Sequence, residues 1–253
     1  MKKCVVNFVI LIFISSMLNA CSDSNSGSGK STNQDINYGD ETFFPFDEES
    51  GAVAYNSKFD KYNGLIVGAS RTAGKVNNAL YFGNNLPSYV SFSEGTEDEA
   101  ELIVDFPDGT ISIEAWVNFE SLNPNEEYHL FGSARSGVRN FTLDVIDGQL
   151  NFVLYTPDDA IDLIETDYVF GVDTWYHIAF TYSGSEAKFY IDGELNTTSS
   201  IAAPVNKIYN PLYLGGARRS SSLSSFPGFI AVLRFSSALR SANEIQEYYE
   251  STR

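Results

Sequence analysis

The chain holds two histidines, His129 and His177, and its two cysteines, Cys4 and Cys21, both lie near the start. A structural zinc site takes four N or S donors, so that pairing offers little for zinc. His177 alternates with Trp175 and Ala179 along a strand-like run, which reads as a packed, hydrogen-bonded histidine rather than a ligand. A Ser–His–Asp triad would need one of the same two histidines, and neither accompanies a Gly-x-Ser-x-Gly nucleophile turn. Glycoside hydrolysis needs two carboxylates flanking the scissile bond. The run Glu97-Asp98-Glu99-Ala100-Glu101 is dense in acid, but Gly95 and Thr96 beside it supply no buried face, so it reads as a solvated loop. Glu165 and Asp167, spaced by Thr166, are the remaining candidate acids of a hydrolase.

Sugar binding asks for exposed aromatic rings to stack on and planar polar groups to meet hydroxyls. Trp116 is the strand-borne candidate, because alternation puts it on the face of Ser112, Glu114 and Asn118. The competing reading is that this face is covered and Trp116 belongs to the core. Tyr155, beside Pro157-Asp158-Asp159, is a loop candidate. So are Arg218 and Arg219, which suit an acidic sugar or a partner carboxylate, or else simply face solvent.

The elements that must position these residues are strands. Ile111, Ile113, Ala115, Val117 and Phe119 alternate with the polar set above, which predicts a strand with one apolar face. Phe141–Val145 and Leu150–Leu154 flank Asp147-Gly148, and Ala187–Ile191 runs into Asp192-Gly193. Asp-Gly tolerates the positive φ of a two-residue hairpin turn, so both read as hairpins. Trp175–Tyr182 is a further strand. No strand–helix–strand rhythm appears, and short strands with such turns indicate an all-β, two-sheet antiparallel sandwich or jelly roll. One short C-terminal helix is expected. Ser241-Ala242-Asn243-Glu244 forms a capping box, and Ile245, Tyr248 and Tyr249 follow as an apolar stripe.

Met1-Lys2-Lys3, the apolar run Val5–Met17 and Leu18-Asn19-Ala20-Cys21 have the layout of a secretory signal. The run is too short for a span of about 20 apolar residues. It resembles a bacterial lipoprotein signal, with Asn19 as a departure. The resemblance implies cleavage after residue 20, lipidation of Cys21, and a protein exported and lipid-anchored in the cell envelope, at the outer membrane or cell surface. Residues 21–40 read as a flexible Ser/Gly/Asn tether. Residues 41–253 read as one domain. The formal net charge is −17 and pI is about 4.3, which disfavours nucleic acid and anionic membrane surfaces as partners. With Cys21 acylated, no disulfide is available to the mature fold.

An ordered series of motifs resembles the laminin-G-like, concanavalin A-like jelly rolls. It runs Phe46-Asp47-Glu48-Glu49-Ser50-Gly51, Ala73-Gly74-Lys75-Val76, Ala79-Leu80-Tyr81-Phe82-Gly83, Ile113-Glu114-Ala115-Trp116-Val117, Trp175-Tyr176-His177, Tyr190-Ile191-Asp192-Gly193, Leu212–Gly216 and Gly228-Phe229-Ile230. The resemblance covers Phe43 to Tyr249 and implies a β-sandwich with sugar binding or adhesion as its role. The partner would be a glycan or another surface macromolecule. Some relatives hold Ca²⁺, which needs an oxygen-rich pocket. Members often carry Asp where this chain has Gly83 and Ala231, which leaves Asp47 and Asn84 as the candidate ligands. The expectation is a non-catalytic, membrane-anchored recognition module. The alternatives are a glycoside hydrolase of the same fold and a protein-binding scaffold.

Overall fold

A computed structural model describes residues 41–58, 63–83, 88–92, 109–133, 140–155, 160–200, 212–216 and 225–253. Its strands, in chain order, begin with β1 (Glu41–Phe44), β2 (Val53–Ala54), β3 (Gly64–Val67), β4 (Ser70–Ala73), β5 (Asn78–Tyr81) and β6 (Tyr89–Phe92). They continue with β7 (Ile111–Phe119), β8 (Glu127–Gly132), β9 (Asn140–Ile146), β10 (Gln149–Tyr155) and β11 (Ala160–Glu165). The last are β12 (Trp175–Tyr182), β13 (Ala187–Ile191), β14 (Glu194–Ser199), β15 (Leu212–Leu214) and β16 (Gly228–Ser236), followed by helix α1 (Ala242–Thr252).

These strands form two antiparallel sheets of eight. The first runs β14-β13-β12-β7-β16-β5-β4, with β1 added on β16. The second runs β11-β10-β9-β8-β15-β6-β3-β2. The expected all-β sandwich is therefore present, with its single helix at the C-terminal end of the described residues. Both Asp-Gly turns close two-residue hairpins, joining Ile146 to Gln149 and Ile191 to Glu194. Asp147 and Gly148 have φ of 50° and 78°, and Asp192 and Gly193 of 49° and 81°, which is the positive-φ pair such a turn demands.

The alternation of β7 sorts its side chains as expected. Ile113, Val117 and Phe119 join the core between the sheets, facing residues such as Leu143, Val145 and Phe152 of the second sheet. Phe152 stacks on Phe180 across that gap, with ring centroids 3.9 Å apart. The opposite face of the first sheet is not simply solvated. Helix α1 lies on part of it, and Trp116, Ala231, Val232 and Tyr248 make a second apolar cluster there. Ala231 and Val232 reach this cluster together because β16 has a bulge between Ala231 and Leu233, with Val232 at φ 61°. The Ser241–Glu244 capping box is formed, and it starts α1 where the sequence places it.

Candidate functional site

Trp116 is 1% exposed, so the expectation of a stacking platform there is corrected: it is core. The cause is α1. Tyr248 packs in the same cluster, Tyr249 lies 5.8 Å from the indole, and Trp116 Nε1–H donates to Thr252 Oγ1 at 3.0 Å. Ser112 and Glu114, on the same face as Trp116, are buried with it. Glu114 lies 2.8 Å from His177 Nε2 and pairs with Arg240, while the Arg234 guanidinium sits 3.8 Å above the Tyr248 ring. Burial pushes the His177 pKa down to about 3. Asp192 favours the imidazolium, but Arg234 opposes it, and the Glu114 carboxylate is shared with Arg240. His177 is the packed strand histidine the sequence suggested, and this network fastens the helix to the sheet.

One row farther along the same face, past α1, the sheet presents aromatics. Register pairs Trp175 with Asn118, Asn118 with Phe229, and Phe229 with Tyr81, so four adjacent strands place these side chains in one line. All four are partly exposed. The Tyr81 and Phe229 centroids are 4.8 Å apart, and Phe229 and Trp175 are 6.3 Å apart. Asn118 sits between them. Its Oδ1 is enclosed and unbonded, so the group it can offer outward is its NH₂. At one end Tyr81 O–H donates to Glu120 Oε2 at 2.7 Å. That hydrogen bond, then burial and the Glu120 charge, raises the Tyr81 pKa and keeps a neutral phenol. Gly83 makes room for the ring, since a Cβ there would stand 2.7 Å from a Tyr81 ring carbon. Rings in a line beside an amide and a carboxylate can stack on sugar faces and bond their hydroxyls.

The sequence alone does not show this row because its four strands are far apart in the chain. The signal was present only as single aromatics on separate strands. The other candidates do not join it. Tyr155 ends β10, and its side chain lies outside the described residues, as do Arg218, Arg219, Asn84 and Cys21. Glu165 and Asp167 are both exposed, so neither carboxylate is desolvated as a general acid would be. A shallow cleft of about 450 Å³ runs between α1 and the β13–β14 hairpin, with Tyr168, Asp192, Asn196 and Tyr249 in its lining.

Asp47 is half-buried, in a loop whose oxygens serve an arginine. Arg71 bonds Glu48 Oε2 at 2.6 Å, Val53 O at 2.7 Å, Gly51 O at 3.3 Å and Phe46 O at 3.4 Å. A guanidinium thus gathers three carbonyls and a carboxylate of this loop. Among the described residues no three His, Cys, Asp or Glu side chains form a metal-sized group. Ala231, in the position where relatives carry Asp, is enclosed beside Trp116.

No curated protein matches the sequence significantly. Among solved structures, the chain is similar to domain 4 of AbnA, an extracellular GH43 arabinanase of Geobacillus stearothermophilus, in complex with arabinotriose. The two share 18% identity and a TM-score of 0.65, over 82% of this chain and 97% of that one. It is also similar to the binding domain of Paraclostridial Mosquitocidal Protein 1, at 15% identity and TM-score 0.63, over 83% of this chain and 51% of that one. A third likeness is to the Trypanosoma rangeli sialidase, at 15% identity and TM-score 0.60, over 82% of this chain. This chain spans about half of the toxin structure and 32% of the sialidase. At these identities the likenesses show a shared fold. The family model described as the concanavalin A-like lectin/glucanases superfamily matches residues 88–246, well over half of the sequence, and the chain belongs to that family, Laminin_G_3.

Proposed function

We propose that this protein is a non-catalytic recognition module that binds carbohydrate, exported and held to the cell envelope by a lipid on Cys21. The observation that carries the binding reading is the line of Trp175, Phe229 and Tyr81 around Asn118, partly exposed on one sheet face. Aromatic rings at this spacing stack on the apolar faces of sugar rings, and the amide supplies direction. The likeness to a domain solved with arabinotriose and to a toxin binding domain supports the same reading. The net charge of −17 suits a body tethered by acyl chains rather than by a basic patch.

The test is a glycan array probed with the purified full-length protein, with calcium and then with chelator. Binding to a defined sugar class that Trp175→Ala removes is the expected result. Binding that survives in Trp175→Ala and Phe229→Ala would move the site off this row. The anchor is tested separately, by incorporation of labelled fatty acid into the wild type but not into Cys21→Ser.

A further inference from the structure

We infer that the aromatic row selects a soluble glycan chain of two or more sugar rings, free to rotate between rings, and rejects flat crystalline polysaccharide. This rests on the carbohydrate reading above and goes one step further, to the form of the ligand.

Two interplanar angles carry the inference. The Tyr81 and Phe229 rings are tilted 35° from each other, and the Phe229 and Trp175 rings 51°. Phe229, in the middle, is therefore coplanar with neither neighbour. No flat surface can lie face-on to two neighbouring rings of the row at once. A single chain can turn each sugar about its linkages and meet the rings one after another.

The row also sets a minimum length. Trp175 and Phe229 are two strands apart, and Tyr81 is on the next strand beyond. The ring centroids follow one another at 6.3 Å and 4.8 Å, so covering all three takes a ligand longer than one sugar ring. One monosaccharide covers one ring of the row, so most of the contact appears only with longer chains. Gly83 belongs to the same design, because it lets the Tyr81 ring lie back at the end of the row.

The experiment measures binding of the purified full-length protein to soluble gluco-, xylo-, manno- and arabino-oligosaccharides of one to six units. Depletion onto microcrystalline cellulose and crystalline chitin is measured alongside. Expected is binding in at least one soluble series that strengthens about tenfold or more from one to three units. Trp175→Ala and Phe229→Ala lose it, Trp175→Phe keeps most of it, and neither powder depletes the protein. Adsorption to either powder overturns the inference and leaves the carbohydrate reading standing. So does equal affinity for one unit and three. Binding to no glycan, soluble or crystalline, overturns the carbohydrate reading and this inference with it.

Discussion

The two tryptophans stand on the same sheet face and do different work. Trp116 is enclosed by α1 and bonded to Thr252, whereas Trp175 is partly open beside Phe229. Trp116→Ala should cost about 3–5 kcal/mol of stability, as large core truncations do, and leave ligand affinity of the folded protein unchanged. Trp175→Ala should do the reverse. One lost stacking contact of about 1.5 kcal/mol is roughly tenfold in Kd, with the melting temperature nearly constant. Calorimetric titration and thermal melts of the two variants check both statements. His177 makes a pH prediction. Its pKa is about 3 when folded and ordinarily about 6.5, so between those values the unfolded chain binds a proton that the folded chain does not. Stability from this group is complete above about pH 6.5 and is lost as pH falls toward 3. Melting temperature against pH should therefore fall less steeply over that window in His177→Gln than in wild type, once the variant's constant offset is subtracted.

At the scale of elements, what was legible was local. The two hairpins were readable from Asp147-Gly148 and Asp192-Gly193, because a two-residue turn is specified by the residues in it. The helix start was readable from Ser241 and Glu244 for the same reason. The site was not, because it belongs to pairing. Tyr81 and Phe229 meet through β5 and β16, which are remote in sequence, and alternation alone gives the face of Trp116 but not which end of the face α1 covers. The loop 46–53 carries the same lesson, since Arg71 on β4 bonds the Phe46 and Val53 carbonyls and Glu48 there, a contact that no local pattern announces. Because Arg71 already holds this loop together, glycan binding and melting temperature should be unchanged by chelator. Arg71→Ala should lower the melting temperature, because it removes a pair with Glu48 in which both side chains are only 12–14% exposed. A melt that shifts upward by several degrees on adding Ca²⁺ to wild type would count against this.

For the whole molecule, the sandwich divides one sheet face between the packing of a helix and the row proposed for recognition. Both sheets bury their inner faces in a shared aromatic core, and the first sheet then divides its outer face between a helix and an aromatic row. The helix takes the part with Glu114, His177 and Trp116, and the part with Asn118 is left to solvent. The proposed recognition row therefore stands on a sheet rather than on loops, a placement under which binding costs little ordering. The measurement that tests this most directly is calorimetric titration of the best array glycan into wild type and the Trp175→Ala/Phe229→Ala double variant, with circular dichroism on both. A folded double variant with affinity reduced about a hundredfold is the expected result. A folded double variant that binds as tightly as wild type would contradict it.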